Sequence, residues 1–220
     1  MAKLFVVATP IGNLADFTFR AVEILQSVDV IAAEDTRHTK KLLRHYNIAT
    51  PLQSYHAHSS PHKTASLIAR LDTGDDIALV TDAGTPAISD PGSGLVAHVQ
   101  SAGHTVITIP GPSAVTAALS ISGLGGDSYT FLGFLPHKKG RLTQLKQIKE
   151  RIQPVAFYES PYRLVKLLGE LTEHYPEAQV AVARELTKTY EELRRGTPQE
   201  LLDHYSTHTV KGEIVVIVKI

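Results

Sequence analysis

The sequence predicts an α/β protein made of two consecutive α/β domains with a cleft between them, and three observations carry that expectation. Short apolar runs rich in β-branched residues alternate with amphipathic stretches at helical spacing along most of the 220 residues. In both halves these runs end in polar or glycine- and proline-rich turns: TPIGNL, AEDTR, TDAGTP, PGPSA, ESPYR and ARELTK. The run SGLGGDS at residues 122–128 reads as a linker and divides the chain into domains at 1–122 and 123–220.

Residues 4–8 form the first expected strand, buried on both faces because polar and apolar residues do not alternate, and it breaks at Thr9 and Pro10 into TPIGNL. Thr18 starts a helix in which Ala21, Ile24, Leu25 and Val28 fall on one face. A strand at 28–33 leads to Glu34 and Asp35, then to a helix carrying Arg37, Lys40, Lys41, Arg44 and His45 above a buried side of Leu42 and Leu43. Lys40, Lys41 and Arg44 read equally as a solvated face or as a patch that steers phosphate. Arg37 lies at the strand end, where a guanidinium can fork onto phosphate or carboxylate. Residues 53–62, polar and histidine-rich, read as an exposed loop before a helix that runs to Leu71.

The strand at 77–80 opens into VTDAGTPAISDPGSG, residues 80–94, which holds three glycines, two prolines and the aspartates Asp82 and Asp90. Such a loop is bent and pre-set, and glycines let another molecule approach the main chain. The alternative is a long turn whose aspartates cap Thr85 and the helix starting near Pro91. Leu95, Val99 and Ala102 mark that helix; a strand at 105–109 follows, with the turn PGPSA at 110–114, either a plain N-cap or a set of N–H groups open to a ligand. A helix to Ser122 closes the first half. The second half reads as a strand at 129–135, a basic helix from Lys138 to Arg151 and a strand at 155–158. A helix with Leu164, Leu167, Leu168 and Leu171, a strand at 180–183 running into ARELTK, and the closing strand of KGEIVVIVKI complete it.

Composition narrows the chemistry. Lysine plus arginine equals aspartate plus glutamate at 22 each, so contact with nucleic acid must use local patches. The absence of cysteine excludes disulfides, thiolate metal sites and cysteine nucleophiles. No two of the eleven histidines stand at a convincing metal spacing beside a carboxylate, so no metal is expected. No apolar stretch reaches membrane-spanning length and the N-terminal run is too short for a signal peptide, which predicts a cytoplasmic protein. A Walker loop, a dinucleotide fingerprint after the first strand and a Gly-x-Ser-x-Gly elbow are all missing, so a ligand is expected to be held by backbone and shape. Strand-end turns recurring in both halves imply a site assembled from many of them.

TPIGNL, AEDTRHT, TDAGTPAISDPG, PGPSA, FYESPYR, ARELTK and the closing KGE strand resemble, in order and spacing, the small-subunit (16S) ribosomal RNA 2′-O-ribose cytidine methyltransferases of the tetrapyrrole (corrin/porphyrin) methylase-like superfamily. The likeness covers nearly the whole chain. It implies a tetrapyrrole-methylase-like fold, S-adenosylmethionine in the interdomain cleft, a homodimer, and 16S ribosomal RNA or the small ribosomal subunit as partner, with neither DNA nor membrane involved. Carried over by position, it puts the methyl donor against Pro10, Ile11, Asp82, Gly84, Thr85, Pro86, Ser113, Ala114, Tyr158, Leu186 and Gly212. Asp35, Arg37 and Arg184 would lie nearer the RNA. For transfer to a ribose hydroxyl, a poor acid, the candidates to assist as the proton leaves are Lys188 and Glu185, with Glu159 in reserve. Relatives commonly continue past the GE-containing strand, whereas this sequence ends at Ile220. Two other readings stay open: methylation of a corrin or porphyrin precursor, and a ribosome-associated binding protein without turnover. The basic stretches at 37–45 and 138–151 favour RNA over a small macrocycle.

Overall fold

The uninterrupted apolar runs of the first half become a five-stranded parallel sheet. In a computed structural model, which describes residues 2–220, the elements up to Ser113 are β1 (Lys3–Val7), α1 (Phe19–Ser27), β2 (Val30–Ala33), α2 (Thr36–His45), β3 (Leu52–Ser54), α3 (Pro61–Asp72), β4 (Ile77–Val80), α4 (Ser93–Ser101) and β5 (Thr105–Ile109). The strand order is β3-β2-β4-β1-β5, with Val30 and Leu4 both in register with Ile77. The central strands β2 and β4 are buried at every residue because helices cover both faces. Along β4, Ala78 and Val80 point to a core shared with Leu25 of α1 and Leu43 of α2, while Ile77 and Leu79 point to one shared with Leu67 of α3 and Leu95 of α4. Residues 53 and 54, expected in a loop, pair with Ala32 and Ala33 as part of β3. Thr18 and Asp35 are the N-caps of α1 and α2, each accepting from a backbone N–H with its side chain.

From Ala114 onward the elements are α5 (Ala114–Ser122), β6 (Thr130–Phe134), α6 (Arg141–Lys146), β7 (Val155–Glu159), α7 (Leu164–His174), β8 (Gln179–Arg184), β9 (Glu192–Gly196), α8 (Pro198–Ser206) and β10 (Ile214–Lys219). The second sheet has the order β6-β7-β10-β8-β9. β10 runs antiparallel to β7 and β8, and the apolar run Ile214–Val218 is buried throughout because it sits at the centre. One face packs on Leu164, Leu167, Leu168 and Leu171 of α7 and on Leu201 and Tyr205 of α8; α5 lies against β7, β10, β8 and β9. Helix α5, placed by the sequence in the first domain, therefore packs within the second unit. The expected linker is built into that unit as well: Leu124 is 2% exposed and its N–H donates to Ser122 Oγ. The expected basic helix is shorter than 138–151: α6 starts at Arg141 and passes into a single 3₁₀ turn, Gln147–Glu150. No described helix is long and apolar enough to cross a membrane.

Candidate functional site

Parallel pairing brings the C-terminal ends of β1, β2, β4 and β5 to one edge of the first sheet, and hydrogen bonds tie the turns there together. Thr9 N–H donates to Gly84 O at 2.9 Å and Gly84 N–H returns a bond to Thr9 O at 3.1 Å. Thr9 Oγ1 also donates to Thr81 O, and Thr85 Oγ1 to Pro112 O. The turns TPIGNL, TDAGTP and PGPSA thus form one structure. Pro10, Ile11, Gly84 and Pro86 are buried within it, whereas Asp82, Thr85 and Ser113 are half-buried. Ser113 ends the first unit, and Ala114, the first residue of α5, is half-buried too.

The AEDTR turn joins this edge through its backbone and a carboxylate. Asp35 N–H donates to Asp82 Oδ1 at 3.2 Å, and Thr81 Oγ1 donates to Glu34 Oε2 at 2.6 Å. The aspartates of the long loop are not the caps the sequence allowed: Asp82 serves Asp35, and the N-cap of α4 is Gly92, with no side-chain bond. Asp35 caps α2, and its carboxylate also holds the Arg37 guanidinium at 3.1 Å, which keeps Asp35 down at about 2. Arg37 itself is 90% exposed and presents its outer face to solvent.

Burial pushes Asp82 up, against the bond from Asp35 N–H. It also raises Asp90 to about 6, with Glu34 and then Asp82 adding repulsion while a hydrogen bond with Thr81 opposes. Ionising Asp90 therefore costs more in the folded chain than in the unfolded one. The stability tied to this group is complete below about pH 4 and is lost as pH rises through about 6. Asp90→Asn is expected to raise the melting temperature at pH 8 by about 2–4 °C, roughly 1 kcal/mol after solvent screening, and to change nothing at pH 3.5. Thermal scans at the two pH values check this, and equal shifts at both would refute it.

In the second unit the ends of β7 and β8 and the start of β10 share one sheet edge, because β10 is antiparallel to both. Glu159 is 2% exposed, with Oε2 taking both terminal nitrogens of Arg141 at 3.1 and 3.2 Å. Its Oε1 takes Arg163 Nη2 at 2.6 Å and Ser160 N–H at 2.7 Å. Arg141 is completed by Glu170 at 3.0 Å. With every lone pair engaged, Glu159 is an anchor of this edge and has nothing left to take a proton from a substrate. Tyr158, half-buried, packs against the rings of Phe131 and Phe134.

The ELTK turn is held in a strained shape. Glu185 and Thr187 have φ of +51° and +67°, a region side-chain-bearing residues avoid, and Leu186 between them is buried. Glu185 N–H donates to Glu213 O, and Glu185 Oε1 accepts from Glu213 N–H at 3.0 Å. Lys188 Nζ donates to Glu185 at 2.8 Å and to Glu213 at 2.9 Å. Burial alone would lower Lys188, but these two bonds outweigh it and hold the ammonium above its ordinary range; Glu185 is held below its own, burial being outweighed by Lys188 and the Glu213 N–H. Lys188 is thus a fixed cation at neutral pH, and Glu185 a carboxylate already in use. The glycine of KGE has φ +93°, and a Cβ there would overlap the Glu185 side chain, so Gly212 is the residue that lets this brace close. Arg184 is occupied by Glu192 at 2.9 Å and by Lys211 O at 3.2 Å. Glu213, which completes the Lys188 brace, escaped sequence reasoning; its one signal was its place beside Gly212.

The fold recurs among solved structures. The fold matches cobalt precorrin-4 methyltransferase, a cobalamin biosynthetic enzyme, with a TM-score of 0.72 at 18% identity over 99% of this chain and 94% of that one. It matches diphthine synthase with a TM-score of 0.73 at 12% identity over 100% and 90%. The family model for tetrapyrrole (corrin/porphyrin) methylases matches residues 3–202. The chain is therefore a methyltransferase of the tetrapyrrole methylase class.

Similarity in sequence is narrower. Ribosomal RNA small subunit methyltransferase I of Synechocystis is 49% identical over 99% of this chain and 79% of its own length. The protein of that name from Mesorhizobium japonicum is 50% identical over 98% and 74%, and the one from Thermotoga maritima 42% identical over 99% and 98%. This chain belongs, within the tetrapyrrole methylases, to the family of ribosomal RNA small subunit methyltransferase I.

Proposed function

We propose that this protein transfers a methyl group from S-adenosylmethionine to the ribose 2′-hydroxyl of a cytidine in the decoding region of 16S ribosomal RNA, working as a cytoplasmic homodimer. The observation that carries this reading is the braced cation of Lys188. Negative charge gathers on a ribose oxygen as its proton leaves, and a fixed ammonium at a strand end is suited to stabilise it.

The turns of the first unit suit the donor. They offer main-chain groups of Pro10, Ile11 and Gly84 to Pro86, and the carboxylates of Glu34, Asp82 and Asp90 stand near them. That chemistry favours a ligand carrying positive charge. Ser113, Ala114, Tyr158, Leu186 and Gly212 are the further donor contacts in this reading. When bound, S-adenosylmethionine supplies an electrophilic methyl on a sulfonium that leaves as a neutral thioether. The chain contributes alignment of oxygen, carbon and sulfur, worth several kcal/mol by itself. Lys188 steadies the oxygen while its proton passes to solvent, Glu185 and Glu213 hold Lys188 in place, and Glu159 fixes the sheet edge. Arg37, exposed and kept in position by Asp35, meets the RNA backbone, and Arg184 is the second unit's contribution to RNA binding in this reading.

Titration with S-adenosylmethionine, followed by methyl transfer to small ribosomal subunits, naked 16S RNA and a porphyrin precursor, tests the proposal. A 2′-O-methyl group removes the hydroxyl that attacks the adjacent phosphate, so the product should carry one new alkali-resistant linkage at a cytidine. Transfer to the macrocycle instead would reassign the substrate. Donor binding without transfer to any acceptor would leave a binding protein.

A further inference from the structure

One surface of the second unit lies outside the Lys188 brace and borders the donor contacts only where Phe134 meets Tyr158. β6 and β7 start in register, with Thr130 opposite Val155 and Phe131 opposite Ala156, but the next pairing is Phe134 with Tyr158. Between these pairings β6 has two residues, Leu132 and Gly133, where β7 has one, Phe157. The extra residue falls at Gly133, whose φ of +63° accommodates the bulge. In an unbroken pleat Phe134 would share the core-facing side with Leu132, which packs on the cluster containing Val155 and Phe157. The bulge turns it outward instead, against Tyr158 at a ring separation of 5.3 Å, with 59% of its surface in water. A phenylalanine aimed at solvent by a backbone irregularity is not there for the core.

Two neighbours extend this surface. Arg163 Nη1 donates to Leu135 O at 3.3 Å, which docks the SPYR turn on the exit of β6, and Tyr162 beside it is 94% exposed. Immediately after β6, Lys138 and Lys139 are exposed, and neither makes an ion pair among the described residues. Unpaired cations four and five residues after the exposed Phe134 suit a flexible polyanion whose planar groups can stack. They suit a folded protein partner poorly, since such a partner would have to neutralise two lysines.

We propose that Phe134 and Tyr162 stack unpaired bases of the substrate RNA, with Lys138 and Lys139 on the adjoining phosphates, so that this edge grips the single strand flanking the target ribose. The inference rests on the RNA reading above and adds the residues that select an unpaired segment. Stacking is indifferent to base identity, whereas the phosphate contacts release counterions and so depend on salt.

The test uses the full-length protein, a single-stranded oligonucleotide of the decoding region and intact small subunits. Phe134→Ala with Tyr162→Ala should weaken oligonucleotide binding about tenfold or more per ring, with the salt slope unchanged. Lys138→Gln with Lys139→Gln should reduce that slope by about 1.4, the loss of two single-strand phosphate contacts at about 0.7 each. Phe134→Trp should retain affinity, and because Phe134 packs on Tyr158, the control of wild-type S-adenosylmethionine affinity and melting temperature is taken on Tyr162→Ala alone and on the lysine pair. Unchanged oligonucleotide affinity in the aromatic variant would overturn the inference. So would lost binding to subunits with oligonucleotide binding intact, which would mean that the surface meets a ribosomal protein. If the wild-type enzyme methylates no RNA, the functional reading itself falls; if it does and the variants match it, only this inference falls.

Discussion

Glu159→Ala is expected to destabilise the protein by about 3–5 kcal/mol, because it leaves two guanidinium groups facing a buried space without their carboxylate. Arg141 and Arg163 have side chains only 5% and 16% exposed, and both direct nitrogens at Glu159. Glu170 would still pair with Arg141, and Leu135 O with Arg163, so the loss falls short of the full cost of two bare charges. The melting temperature should drop by roughly 6–20 °C. Replacing Glu159 and Arg141 together by methionine removes one of the two stranded guanidiniums but leaves Arg163 and Glu170 without these partners, so it should recover only part of the loss. At a temperature where Glu159→Ala stays folded, its single-turnover rate should fall by less than about a hundredfold, since the carboxylate supports the sheet edge but has no free position for a proton. A melting temperature within about 2 °C of wild type, or a rate reduced a hundredfold in the folded variant, would contradict this account.

What the letters disclosed and what they hid divide along physical lines. β2 and β4 were legible because strands covered on both faces are written as unbroken apolar runs, and β1 and β5, less covered, because Phe, Val and Ile dominate their short runs. β3 was not: its residues are Leu, Gln and Ser, all half-buried at the sheet margin. β9, ELRRG, carries no apolar alternation at all; its place is decided by backbone pairing with β8 and by Arg184 meeting Glu192. The glycine run is a related case. Leu124 within it is an apolar anchor, and a linker by composition becomes packed structure when one side chain is buried. At the site, the strand-end turns could be read locally, since glycine, proline and strand length set them. The partnerships could not. Glu159 with Arg141 and Arg163, Lys188 with Glu213, and Asp82 with Asp35 N–H join residues from separate elements that only the sheet order brings together.

Lys188→Ala should cut methyl transfer by roughly 10²–10³-fold while leaving S-adenosylmethionine affinity within about twofold. A cation that steadies an oxyanion acts only as charge develops, so its loss appears in the rate and not in ground-state binding. The brace adds a second consequence. Because Glu185 and Glu213 outweigh burial and hold the ammonium above its ordinary range, Lys188 stays charged through neutral pH, and the wild-type rate should show no loss attributable to it there. Lys188→Arg keeps the charge and should restore part of the rate. Gly212→Ala attacks the same point from the other side: its methyl group displaces the Glu185 carboxylate and lets Lys188 drift, so the rate should fall although the ammonium is present. Measuring donor affinity by calorimetry and the chemical step by single turnover separates these effects. If Lys188→Ala turns over at the wild-type rate, the cation has no part in the chemistry. If Gly212→Ala does so while Lys188→Ala does not, Lys188 works without its brace, and the strained ELTK turn must be explained by something other than catalysis.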